Sequence, residues 1–152
     1  MEAAAIDLTP RQETLLVFLG SSEKRLDPIR VQKGLFILTE ETPEDWLPSE
    51  ARYRYEPYRY GPYSAEIYYD LDKLEGLGYV TATRVRGQSW NYYSLTSEGQ
   101  ELARSVAKGM DSRTVQYLQK VRDFVGGLSF RKLLTTVYEH YPDYAVNSEF
   151  ER

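Results

Sequence analysis

The stretch LDKLEGLGYV, residues 71–80, decides the fold that we predict for this chain. Ile67, Leu71 and Leu74 follow one another at i, i+4 and i+7, so they share the buried face of a helix. Gly78 then ends the helix, because glycine tolerates the backbone conformation in which the chain reverses after a last turn. The stretch therefore predicts a helix over residues 64–78, with Ser64 as its cap, followed directly by a strand.

A β-hairpin and a further helix are predicted next. Residues 79–85 and 89–95 are rich in β-forming side chains, and Arg86-Gly87-Gln88 between them has the length of a short hairpin loop. Thr96 has the side chain of an N-cap, so we expect a helix from there through roughly residue 108. Helix, hairpin and helix thus follow one another without a linker.

Two helices precede the deciding stretch, and both start in the same way. Thr9-Pro10 and Asp27-Pro28 each place a capping side chain before a proline at the first helical position. The second helix is apolar over so much of its surface that we expect it to be central.

The connection to the third helix is predicted to contain a short strand. Residues 52–60 alternate charged side chains with tyrosines, as in a half-buried strand, and Pro57 confines that strand to an edge. Gly61-Pro62 is the signature of a turn that follows it.

The order of these elements is that of a winged helix-turn-helix. The predicted fold class is mainly α with a small antiparallel β-hairpin (α+β), a winged helix-turn-helix with a C-terminal helical extension. Residues 1–108 form the winged-helix domain in this interpretation. Residues 109–152 form an extension of two helices that either packs on the domain or forms a dimer, and both alternatives stay open.

Composition restricts the classes of function. The 152 residues carry a net charge of −4 and no cysteine, so disulfides and thiolate sites are absent, and tight non-specific binding to DNA is disfavoured. The first eight residues lack the basic and apolar regions of a signal peptide, and no apolar run approaches a membrane span. We expect a cytoplasmic protein with no membrane contact.

No catalytic site, metal site or cofactor is predicted. His140 is the single histidine, and no partner for it is evident from the sequence. Asp70 and Asp72 lie about 200° apart around a helix, so the two carboxylates cannot converge on a metal ion. We therefore expect a protein that is not an enzyme.

Four segments resemble a known family. Residues 31–36 (VQKGLF), 58–64 (YRYGPYS), 71–80 and 138–148 are similar to the YwgA-like proteins and, more distantly, to the SocA-like antitoxin domain called Panacea. The segment YGPYS is the most specific of them. The resemblance implies, through the SocA-like domains, a protein that works by protein contact, neutralising toxins or presenting them for degradation.

The first hypothesis on function is a DNA-binding transcriptional regulator, expected to be a homodimer. Two wing arginines flank a glycine at the hairpin tip with no acid beside them, and wing arginines commonly contact phosphate or the minor groove. The outward face of the third helix adds a tyrosine and one lysine. The predicted DNA-binding residues are Arg84, Arg86, Lys73, Tyr69, Lys33 and Arg59.

The alternative is a non-catalytic protein-interaction module of the antitoxin or adaptor type. Arginines interleaved with tyrosines over residues 52–60 can form the amphipathic anchor of an interface, or can simply be an edge strand whose tyrosines pack inward. The predicted protein-contact residues are Tyr53, Tyr55, Tyr58 and Tyr69. The wing and the fold favour DNA, whereas the acidic residues around the third helix favour a protein partner.

Overall fold

A computed structural model describes residues 8–22 and 24–149, and this part of the chain contains six α-helices and two β-hairpins. The elements, in chain order, are α1 (Pro10–Gly20), α2 (Pro28–Glu41), β1 (Glu56–Tyr58), β2 (Gly61–Tyr63), α3 (Ala65–Gly76), β3 (Val80–Arg84), β4 (Asn91–Leu95), α4 (Ser97–Gly109), α5 (Ser112–Gly127) and α6 (Phe130–His140). Short 3₁₀ turns occur at Ser49–Ala51 and Pro142–Ala145.

The helices begin at the residues that the capping signals indicate. The side chains of Thr9, Asp27 and Thr96 accept hydrogen bonds from backbone N–H groups in the first turns of α1, α2 and α4. These bonds satisfy amides that have no partner within the helix. Ser64 differs from the prediction: it precedes α3, but its hydroxyl makes no capping bond and is buried without a partner.

The first four helices and the second hairpin form a winged helix, as predicted. β3 and β4 pair antiparallel from Val80↔Leu95 to Arg84↔Asn91. Leu26, between α1 and α2, forms an isolated bridge with Tyr93, with N–O distances of 3.0 and 2.8 Å. This bridge extends the pairing of β4 by one residue and joins the segment before α2 to the wing.

The predicted strand over residues 52–60 is too long, because only β1, Glu56–Tyr58, is a strand. Residues 52–55 are irregular, and Arg52 donates hydrogen bonds to carbonyl groups of Leu47, Thr39 and Thr42. These bonds hold the segment against the end of α2 instead of pairing it with a strand.

The β1–β2 hairpin takes the place of the predicted turn at Gly61-Pro62. β1 pairs antiparallel with β2, the turn lies at residues 59–60, and Pro57 faces Pro62. In an antiparallel pair every second pair of residues exchanges no hydrogen bonds, so two prolines can face each other without losing one. Gly61 has a φ of 90°, which favours glycine.

The two C-terminal helices belong to the same core as the winged helix. Leu118, Val121 and Val125 of α5 and Leu133 and Val137 of α6 are buried in one hydrophobic cluster with the leucines of α1 and α2. The apolar faces of α5 and α6 are therefore used within the chain.

An arginine in α2 strengthens this packing. Arg30 donates from Nε to the carbonyl of Val125 at 3.1 Å and from Nη2 to that of Leu128 at 2.6 Å. One guanidinium thus supplies donors for two carbonyls at the C-terminal end of α5, where no intrahelical donors are available.

Within residues 8–22 and 24–149, none of the helices has the length and apolar character needed to cross a membrane.

Candidate functional site

The wing presents the exposed cations that the sequence predicted. Arg84 and Arg86 are both exposed, and Arg84 Nε donates to the carbonyl of Gln88 within the wing loop at 3.2 Å. Arg25 adds a cation that sequence reasoning missed: its guanidinium lies 4.4 Å from the centroid of the Tyr92 ring on β4. Its position just before Leu26, which bridges to the wing, becomes apparent only in the folded chain.

The outward face of α3 is not basic. Tyr69 is 75% exposed, and Asp72, Lys73 and Glu75 are exposed beside it. Two carboxylates therefore flank the one ammonium group, which disfavours phosphate along this face.

Two other acidic residues of α3 bond to side chains elsewhere in the chain. Asp70 accepts hydrogen bonds from Gln12 Nε2 at 3.0 Å and from the Tyr53 hydroxyl at 2.6 Å. Glu66 pairs with Arg11 at 2.7 Å. These acids join α3 to α1, so the exposed charge of the helix is set by Asp72, Lys73 and Glu75.

Lys33 is wrong as a predicted DNA contact, because it lies inside the protein. Only 3% of the residue is exposed, and Nζ donates to the carbonyl of Pro62 at 2.9 Å. Burial lowers the pKa of Lys33 to about 7. The residue connects α2 to β2 and cannot contact a phosphate backbone at the surface.

Arg59 is exposed, as predicted, but its charge is shared with the C-terminal segment. Its Nε lies 3.5 Å from a carboxylate oxygen of Glu149, and its guanidinium lies 5.7 Å from the centroid of the Tyr58 ring. Any DNA contact by Arg59 must therefore compete with Glu149.

Tyr53 and Tyr55 are wrong as predicted protein contacts, because both side chains point into the protein. Tyr53 is 4% exposed and donates to Asp70, while the Tyr55 ring packs edge-on against Phe36 with centroids 5.2 Å apart. Burial raises the pKa of both tyrosines. The inward packing that sequence reasoning kept as an alternative describes these two residues.

Other aromatic side chains of the β1–β2 hairpin reach the surface. Tyr58 stacks on Tyr63 with centroids 4.7 Å apart, and Tyr63 lies 6.0 Å from Tyr68 of α3. Tyr60 packs edge-on against Phe130 of α6 at 5.8 Å. We call these five residues the aromatic row.

Three rings of the aromatic row are partly exposed, and to a similar degree. Tyr58, Tyr60 and Phe130 are 43%, 41% and 39% exposed, and Tyr69 lies next to Tyr68 along α3. Of the row, only Tyr58 was a predicted contact. The register of the hairpin, which brings Tyr58 beside Tyr63, was the missing information, since the sequence suggested a single strand there.

One cavity lies beside the aromatic row, and a larger one lies elsewhere in the fold. A cavity of about 120 Å³ lies beneath the aromatic row, with Lys33 in its wall. A larger cavity of about 360 Å³ lies between α2, α5 and α6, and Glu41, Lys120 and His140 are among its lining residues. The Glu41 carboxylate accepts from the Tyr141 hydroxyl at 2.6 Å, and His140 Nδ1 bonds to the carbonyl of Thr136 at 2.9 Å.

The part of the chain that the structure describes contains no cluster of side chains suited to hold a metal ion. No group of three or more histidine and carboxylate side chains is placed to hold a metal ion there. Glu41 and His140 each bond to a different group rather than to each other. That the protein is not an enzyme stays a prediction.

No protein-family model matches the chain, and no curated protein matches it significantly. The resemblance to YwgA-like and SocA-like proteins therefore stays a prediction based on the four segments.

Proposed function

We propose that this chain is a non-catalytic protein-interaction module whose contact surface consists of the aromatic row and Tyr69. The observation that carries the proposal is the exposure of Tyr58 and Tyr60 on the hairpin that connects α2 to α3, together with that of Tyr69 on α3 and Phe130 on α6. The exposed face of α3 beside them is not basic. Tyrosine and phenylalanine are enriched at protein interfaces, because they bury a large area at a low cost in side-chain entropy.

The surface is held rigidly, which favours binding. The β1–β2 hairpin is fixed to α2 by the bonds of Lys33 to Pro62 and of Gln32 to Ser64. A contact surface that is ordered before association loses less conformational entropy when the partner binds.

The exposed charged residues of α3, beside the aromatic row, indicate which charge a partner should carry. Asp72 and Glu75 are exposed on α3 with Lys73 as the one cation between them. A partner segment that carries arginine or lysine complements these carboxylates, and its cations can also pack over tyrosine rings. The partner is thus a protein with a basic contact segment, which fits the antitoxin or adaptor role implied by the resemblance to SocA-like domains.

The test is an affinity purification followed by a measurement with purified partner. The tagged full chain is used as bait, and a protein that it enriches over the tag alone is purified for calorimetry with the wild type and with a Tyr58→Ser/Tyr69→Ser variant. Because central aromatic residues dominate binding energy at interfaces, the double variant should bind about tenfold to a hundredfold more weakly.

A matched control tests whether binding depends on this surface or on any exposed aromatic ring. Phe124 of α5 is 45% exposed and lies outside the aromatic row, so Phe124→Ser should leave the affinity unchanged. Equal binding by the wild type and the tyrosine variant would contradict the proposal.

DNA binding is the second candidate function, and the wing favours it. Arg25, Arg84 and Arg86 are exposed on or beside the β3–β4 hairpin, where a winged helix can contact phosphate. In this case the protein is a transcriptional regulator. If it forms a homodimer, the interface must use a surface other than the faces of α5 and α6 that the core already buries.

A further inference from the structure

The cavity beneath the aromatic row contains a buried primary amine. The cavity has a volume of about 120 Å³ and lies between α2, the β1–β2 hairpin and α3. Four tyrosines of the row line it together with Lys33, which is 3% exposed. Lys33 therefore lines a small aromatic pocket, and its amine bonds to the Pro62 carbonyl of β2.

Lys33 has fewer partners than a buried ammonium needs. Its Nζ donates to the carbonyl of Pro62 at 2.9 Å, and no ion pair among the described residues includes it. An ammonium group has three N–H donors, and a buried charge without a counter-ion is costly. Burial lowers the pKa of Lys33 to about 7, with no carboxylate acting against this shift.

The titratable residues that line the pocket together with Lys33 are tyrosines. Tyr58, Tyr60 and Tyr63 come from the hairpin and Tyr68 from α3, and the ring of Tyr138 in α6 lies near Gly61, as does the Lys33 side chain. Burial raises the pKa of Tyr63 and Tyr68, so both stay uncharged at neutral pH. The lining thus offers one cation, hydroxyl donors and aromatic faces. The carboxylates of Glu56 and Asp27 lie near enough to Tyr63 and Tyr68 to add to the rise in their pKa, and Asp27 is paired with Arg30.

We propose that this pocket binds a single carboxylate group, with the Lys33 ammonium as its counter-ion and the tyrosine rings against the apolar remainder of the acid. One cation balances a monoanion, whereas a phosphate dianion would remain undercompensated in a buried site. The small volume restricts the bound group to a few heavy atoms. The carboxylate can belong to a free acid or to an acidic side chain of a protein, and the chemistry at Lys33 is the same.

The experiment follows Lys33 directly in the full chain. Lysine side chains are labelled with ¹³C and ¹⁵N, and the Lys33 signal is titrated with pH in sodium chloride, then in sodium propionate of equal ionic strength. A bound carboxylate favours the charged amine, so the pKa of Lys33 should rise in propionate. The exposed Lys73 in the same spectrum is the internal control and should not change.

A second arm distinguishes the source of the carboxylate. The blocked peptide acetyl-Gly-Glu-Gly-amide replaces propionate, so that the only carboxylate is a side chain. A response to propionate alone identifies a free acid as the ligand, and a response to the peptide identifies an acidic side chain; both support the carboxylate site. Affinity should fall about tenfold for each pH unit above the Lys33 pKa of the free protein, because only the ammonium form binds.

Thermal denaturation supplies an independent readout. Propionate should raise the melting temperature of the wild type and leave that of Lys33→Met unchanged, because a ligand stabilises only a folded state that binds it. The proposal is overturned if neither probe moves the Lys33 signal, or if Lys33 titrates like an ordinary lysine in chloride. Either result leaves the protein-contact function intact, since Tyr58 and Tyr69 variants test that function separately.

Discussion

The side-chain amide of Gln32 forms two hydrogen bonds with the backbone of Ser64. Nε2 donates to the Ser64 carbonyl at 2.8 Å, and Oε1 accepts from the Ser64 N–H at 2.8 Å. Gln32 belongs to α2, and Ser64 is the residue before α3. The pair therefore joins the two helices across the connection of residues 42–64 and fixes the position at which α3 begins.

Replacing Gln32 with methionine should destabilise the protein. The substitution keeps much of the side-chain volume but leaves the buried N–H of Ser64 without a partner, which costs about 1–3 kcal/mol. The Ser64 carbonyl keeps one bond, from the N–H of Ile67 at 3.3 Å. Urea denaturation measures the effect. Gln119→Met, at an exposed position of α5, is the control and should change the free energy of unfolding by less than about 0.5 kcal/mol. Equal losses in the two variants would show that the Ser64 bonds contribute nothing.

Leu71→Ala should destabilise the winged helix through its core. Leu71 is buried on α3 in the same cluster as Ile67 and Leu74, so the substitution removes apolar contacts and leaves a cavity. The expected loss is about 2–5 kcal/mol in the free energy of unfolding. Lys73→Ala, on the exposed face of the same helix, should be nearly neutral. An unchanged denaturation midpoint for Leu71→Ala would refute the packing of α3.

The stability difference between the wild type and Lys33→Met should depend on pH. The unfolded chain keeps the lysine proton up to a pH of about 10.4, whereas the folded protein loses it at about 7. Above pH 7 the unfolded state therefore binds more protons, so the wild type gains stability relative to the variant as pH rises from 7 to 9. The slope is at most about 1.4 kcal/mol per pH unit.

Lys73→Met is the matched control for this titration, because Lys73 is exposed on α3. Its difference from the wild type should stay flat over the same range of pH. A flat difference for Lys33→Met as well would mean that Lys33 is not a buried amine in solution.

Replacing both Arg84 and Arg86 with alanine tests the second candidate function. If the wing contacts DNA, the double variant should bind all DNA sequences more weakly, and each lost phosphate contact should reduce the salt slope by about 1. Fluorescence anisotropy over a range of salt concentrations measures both quantities. Arg104→Ala removes an exposed cation from α4, away from the wing, and should have little effect. Negligible DNA affinity of the wild type at low salt would exclude this function.

The elements that the sequence determined are those with local causes. Thr9, Asp27 and Thr96 cap their helices because a capping side chain bonds to amides only a few residues away. The hairpin at residues 80–95 is likewise specified by neighbouring residues, with Gly78 and Gly87 at positive φ where the chain reverses. These signals were sufficient to predict the winged helix.

The candidate site depended on tertiary structure, because exposure is decided by segments far apart in sequence. Alternation of residues 52–60 could not show that Tyr53 would reach Asp70, that Tyr55 would pack on Phe36, or that Tyr58 would remain at the surface. The type of residue at position 33 likewise predicted a surface cation. Its burial follows from the β1–β2 hairpin, which folds over α2 and places the carbonyl of Pro62 within bonding distance of the amine.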